Sequence, residues 1–142
     1  MLVLVMTGLM VCVAVLAAAS AYGVLHRRRS GRVRVRGRDD GKRLGADRLG
    51  GALGERATLL QFSSAFCAPC RATRRVLGEV AGMVPGVTHV EIDAEAHLDL
   101  VRELGILKTP TVLVLDADGR IVRRATGQPR KADVIAALGE AV

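Results

Sequence analysis

The chain has no tryptophan, one tyrosine and two phenylalanines in 142 residues. A formal charge of +7 invites a nucleic-acid reading, but a surface that stacks on bases has almost no rings to be built from. Only three cysteines are present, too few for a disulfide scaffold, so a small domain must stand on its hydrophobic core. A zinc site lacks its second pair of ligands: there is one CxxC, and His89 and His97 are scattered. Covalent haem attachment needs histidine after the second cysteine, where Arg71 stands. Asp93, Glu95 and Asp99 are spaced somewhat like a cation loop but lack its glycine and closing glutamate, so they read as solvated surface. No phosphate loop, no Ser-His-Asp arrangement and no internal repeat is present. No metal or cofactor is expected.

Charge is also missing from one end. Met1–Leu25 carries no charged side chain, and Leu2–Leu25 is almost wholly apolar. At about 1.5 Å per residue this run reaches roughly 36 Å, enough to cross a hydrocarbon core of about 30 Å with some tilt. His26-Arg27-Arg28-Arg29 ends it. The small-residue runs Ala17-Ala18-Ala19 and Ala19-Ser20-Ala21 resemble signal-peptidase sites, which keeps a cleaved, exported form open. A signal peptide has a basic start and a shorter apolar stretch, so an uncleaved anchor over residues 1–25 is the expectation. Cys12 lies inside it and reads as a small buried hydrophobe. Tyr22 sits near the basic end, where an interfacial aromatic lies.

The positive charge is concentrated next to this run. Between His26 and Arg56 there are eleven basic side chains against four acidic ones, whereas Ala57–Val142 is balanced. Anionic lipid headgroups are therefore the expected partner of residues 1–38, and nucleic acid is not. Seven arginines between positions 27 and 38, with none on the other flank, predict by the positive-inside rule that the rest of the chain faces the cytoplasm. An extracytoplasmic or secreted domain is the alternative. Residues 26–43 read as an Arg-rich juxtamembrane linker, and Arg32-Val33-Arg34-Val35-Arg36 as a candidate short edge strand.

Residues 44–142 carry globular patterning. Leu44, Leu49 and Leu53 suggest a short first helix over Leu44–Gly54. Thr58–Ser63 reads as a buried strand and Cys67–Met83 as a helix with Ala72, Val76, Val80 and Met83 along one side, closed by Pro85-Gly86. Val87–Asp93 is a second strand, and His97–Leu104 a short helix ended by Gly105. Thr111–Asp116 and Arg120–Thr126 form a hairpin about Ala117-Asp118-Gly119, and Lys131–Val142 is a final amphipathic helix. This order predicts an α/β domain with a central mixed sheet and helices on both faces.

The sharpest motif is Cys67-Ala68-Pro69-Cys70, directly after the first strand. Two thiols three residues apart at a strand-to-helix junction are the minimum equipment for making and breaking disulfides. Unpaired N–H groups and the helix dipole favour the thiolate of Cys67, while Cys70 falls one turn later, close enough to attack a mixed disulfide. Pro69 fits the first turn, where its missing N–H has no intrahelical partner.

Over residues 44–142 the chain resembles the thioredoxin family. The resemblance rests on Phe62-Ser63-Ser64-Ala65-Phe66-Cys67-Ala68-Pro69-Cys70-Arg71, on Val90-Glu91-Ile92-Asp93, on Gly105-Ile106-Leu107-Lys108-Thr109-Pro110-Thr111 and on Asp118-Gly119. It implies a thioredoxin-like fold, an attacking thiol at Cys67, a resolving thiol at Cys70, and a peptide-docking loop at Thr109-Pro110 with a cis bond. Phe66, Ala68 and Pro69 complete the implied substrate surface. The implied activity is protein-disulfide reduction, with disulfide-containing proteins as substrates and a thioredoxin-reductase-like or other dithiol electron donor. A docking or redox-sensing module with little turnover is the alternative.

The chain also departs from the family. Phe66 stands where the family has tryptophan, Arg75 near its mid-helix proline, and Gln61 where it often buries an aspartate beneath the second cysteine. Glu91, on the next strand, is a candidate substitute for that aspartate, though it also reads as a solvated carboxylate. Arg71, Arg74 and Arg75 read as a solvated helix face that could also lower the Cys67 pKa or attract acidic partners.

Overall fold

In the computed structural model, residues 1–29 and 42–142 are described, and the chain divides into two compact units. The first unit is the helix α1, Leu2–Arg29, apolar on every side rather than along one stripe. Its Val5–His26 segment is long and apolar enough to cross a membrane. At about 1.5 Å per residue those 22 residues span roughly 33 Å. Thr7, the polar side chain of its first turns, donates its hydroxyl to the Val3 carbonyl at 2.7 Å and so is satisfied within the helix. Cys12 is a free thiol on the surface of α1, within the apolar segment. Tyr22 is exposed, its ring 6.1 Å from that of His26 one turn on.

In the second unit the elements are α2 (Ala46–Leu49), β1 (Ala57–Ser63), α3 (Ala68–Met83), β2 (Val87–Asp93), α4 (Leu98–Leu104), β3 (Thr111–Asp116), β4 (Ile121–Thr126) and α5 (Lys131–Ala141). The sheet runs in the order β2-β1-β3-β4, parallel between β1 and β2 and antiparallel elsewhere. β1 is buried along its whole length. Strand side chains alternate between faces, so β1 feeds two cores. Leu60 and Phe62 join Leu49 of α2 and Leu100 and Leu104 of α4 on one face. Ala57 and Leu59 join Leu77 and Val80 of α3 and Val134 and Leu138 of α5 on the other.

Three sequence expectations are corrected. The buried side of α3 is Cys70, Thr73, Leu77 and Val80, so of the expected line Ala72, Val76, Val80 and Met83 only Val80 is fully buried. Leu77 offers the larger apolar side chain, and Thr73 can be buried because its hydroxyl donates to the Pro69 carbonyl at 2.9 Å. Met83 is left exposed. The first helix shrinks to the four residues of α2, because Gly50 turns the chain into the left-handed region. Leu44 is nonetheless buried, held by its N–H to the Gly119 carbonyl at 2.9 Å. The β-strand of the hairpin begins at Ile121 rather than Arg120.

The hairpin turn needs Gly119, at φ +78°, while Asp116 Oδ1 accepts from the N–H groups of Asp118 and Arg120. Arg120 instead pairs in an isolated bridge with Arg43, bringing residues 42–44 along the sheet edge. The candidate strand over 32–36 lies outside the described residues.

Candidate active site

β1 delivers the chain to the site, and α3 begins it. Cys67 is the N-cap of α3, in extended conformation, and its Sγ accepts from the Cys70 N–H at 3.2 Å. Pro69 occupies the first turn, as the missing donor allows. The dipole and free N–H groups of a helix of sixteen residues therefore point at the Cys67 sulfur. Cys67 is half-buried, whereas Cys70 is 2% exposed. The two are joined as a disulfide, with Cα atoms 5.2 Å apart.

The second half of the site comes from the segment before β3. The Thr109–Pro110 bond is cis. Pro110 is buried and its carbonyl accepts from Gly127 N–H at 2.8 Å, while the Thr111 hydroxyl donates to the Lys108 carbonyl at 2.7 Å. The Ser64 and Thr109 hydroxyl oxygens lie 3.0 Å apart, so the two loops touch. Phe66 is fully exposed, and Ala68 and Pro69 are exposed beside Cys67. Leu107, 90% exposed, adds an apolar side chain on the cis-proline loop that the sequence reading passed over.

Beneath the disulfide, Gln61 is wholly buried and its amide donates to the Ser63 hydroxyl and to the Cys70 carbonyl, each at 2.9 Å. His89 Nε2 is 3.1 Å from the Gln61 amide oxygen. The sequence left His89 unassigned, because only the register of β1 on β2 reveals it: Gln61 pairs with Glu91, and His89 is two residues earlier on the same face. Burial pushes the His89 pKa below the ordinary histidine value, with Glu91 opposing and Arg74 reinforcing that shift.

Glu91 is not a lone solvated carboxylate. It takes two bonds from the Arg74 guanidinium, at 2.6 and 2.7 Å. That pairing, foremost, holds the Glu91 pKa below the usual carboxylate range. Arg74 is thus occupied, leaving Arg71 and Arg75 as the exposed cations one and two turns beyond Cys67.

A dithiol that can close into a disulfide at a helix N-terminus, next to a cis-proline loop, is machinery for exchanging disulfides, and the chain is a thiol–disulfide oxidoreductase. Comparison with known proteins gives the family. The family model of the thioredoxin-like domain matches residues 51–142, and the chain belongs to that family. It is 30% identical to a thioredoxin of Mycolicibacterium smegmatis over 87 residues, 59% of this chain and 77% of the relative. It is 28% identical to a thioredoxin of Chlamydia muridarum over 89 residues, 63% of this chain and 86% of the relative. Among solved structures, chloroplastic thioredoxin z superposes with a TM-score of 0.58 at 25% identity, covering 70% of this chain and 92% of that one.

Proposed function

We propose that the protein is a membrane-tethered protein-disulfide reductase in which Cys67 attacks and Cys70 resolves. The Cys67 thiolate attacks one sulfur of a substrate disulfide. That bond breaks, a mixed disulfide forms, and one substrate sulfur leaves as a thiolate. Cys70 then loses its proton and attacks the Cys67 sulfur. The second substrate sulfur leaves, and the Cys67–Cys70 disulfide is left for a dithiol donor to reduce. The observation that carries this division of labour is the unequal burial of the two cysteines, Cys67 half-buried and Cys70 buried.

Phe66, Ala68, Pro69, Thr109 and Pro110 form the surface against which an extended substrate segment lies. Substrates are disulfide-containing proteins, and the donor is a thioredoxin-reductase-like or other dithiol protein. Residues 1–25 serve as a single-pass anchor, 26–43 as a linker held to anionic lipid, and 44–142 as the redox domain on the cytoplasmic side. The exposed, uniformly apolar α1 and the seven arginines after position 26 support that placement. The reducing poise of the cytoplasm favours reductase over oxidase.

Two experiments test the reading. The full chain in detergent should reduce a protein disulfide with dithiothreitol as donor, and Cys67→Ser should abolish turnover. Binding without turnover would favour the docking or sensing alternative. In intact cells a membrane-impermeant thiol reagent should label reduced Cys67 only after lysis. Labelling before lysis would place the domain outside.

A further inference from the structure

Gln61 is buried, both hydrogens of its amide nitrogen have acceptors, and its amide oxygen has a partner. Its nitrogen donates to Ser63 Oγ and to the Cys70 carbonyl. A carbonyl can only accept, so the amide nitrogen must face Cys70 and the amide oxygen must face His89. An amide oxygen also only accepts. His89 Nε2 therefore carries hydrogen in both protonation states, and Nδ1 is the nitrogen that titrates. Two side chains thus link the buried half of the disulfide to a half-buried histidine on the edge strand β2.

The surroundings of His89 leave it as the switchable member. From its own strand it faces Glu91, and from α3 Arg74, which bind each other. From β1 it meets the neutral Gln61. The same amide reaches Glu91 through the Ser63 hydroxyl, which hydrogen-bonds that carboxylate. Glu91 is held ionised by Arg74, so its charge is fixed near neutral pH. The charge of His89 is not.

We propose that His89 is a positioning residue for Cys70, acting through Gln61, such that protonation of His89 and negative charge on the reduced sulfur pair favour each other. The inference rests on the reading of Cys67 and Cys70 as the redox pair. In the oxidised protein the sulfurs carry no charge, and burial disfavours the charged imidazole. Reduction allows a thiolate to form near the same network. A charged imidazole is a stronger donor to Gln61, and the polarised amide a stronger donor to the carbonyl in the first turn of α3. No proton passes through the amide; it transmits polarisation. Linkage makes the effect reciprocal: if thiolate tightens the proton on His89, charged His89 eases proton loss from Cys70. The network therefore supplies a titrating imidazole in place of a buried carboxylate.

An NMR titration of the full chain in detergent micelles tests this without any variant, following histidine ring signals in oxidised and dithiothreitol-reduced protein. The His89 midpoint should rise on reduction, by about threefold to tenfold in proton affinity. An unchanged midpoint overturns the coupling even if the protein turns over well, and the reductase reading then stands alone. His89→Gln cannot charge. It should turn over more slowly and lose the matching inflection in the pH profile of kcat/KM, and an inflection that survives overturns the proposal. A midpoint that moves in a protein with no turnover supports the coupling and removes the reductase reading instead.

Discussion

Ser64 and Thr109 meet through their hydroxyl oxygens at 3.0 Å, and that hydrogen bond ties the loop before Cys67 to the cis-proline loop 45 residues later. Neither residue belongs to a strand or helix, so the relative position of the two halves of the site depends on contacts of this kind. Ser64→Ala should lower kcat/KM severalfold while costing about 1 kcal/mol of stability. Combining it with Thr109→Val in a double-mutant cycle should give a coupling energy of about 0.5–1.5 kcal/mol. Additive effects would show that the contact does not hold the loops together.

Gln61→Leu should destabilise the domain by about 2–3 kcal/mol in urea unfolding, because the Ser63 hydroxyl and the Cys70 carbonyl lose a buried donor. Its shape is nearly kept, so a loss under about 0.5 kcal/mol would mean that the amide contributes little.

Stability should fall on acidification, in two stages with the same sign. Burial lowers the folded-state pKa of His89, so the unfolded chain binds its proton first. The stabilisation is complete above the ordinary histidine value of about 6.5 and is lost as pH falls below it. Glu91 is depressed by Arg74, so its contribution is present above the ordinary carboxylate value and is lost as pH falls through the lower folded value. Urea midpoints between about pH 7 and 5 should decline less steeply in His89→Gln than in the unmodified protein.

The face of α3 is open to direct comparison. Leu77 is wholly buried and Met83 is 60% exposed. Leu77→Ala should cost about 2–5 kcal/mol, and Met83→Ala should stay within about 0.5 kcal/mol. Equal effects would restore the helix orientation that the sequence suggested.

Much of the fold was legible because local signals agreed with one another. The alternation along Val87–Asp93, the turn at Asp118-Gly119 and the Cys67-Ala68-Pro69-Cys70 junction each announced their element within a residue or two. The buried side of α3 is not legible, because Ala72, Val76, Val80 and Met83 form a plausible apolar line. Burial of Thr73 depends on a bond to Pro69, which composition does not reveal. The first helix was overestimated for a related reason: leucine spacing continues past Gly50, but the backbone does not.

What the sequence determined by itself was the chemistry: two thiols at the start of a helix, a proline-bearing loop, an apolar run ending in arginines. Those are short-range facts, fixed by neighbours within a few residues. Only the tertiary structure decided which groups attend the thiols. Ser64 reaches Thr109, and Gln61 bridges Cys70 to His89, because sheet register and loop closure bring together residues far apart along the chain. Register is set by the packing of whole faces, which no single stretch of sequence carries.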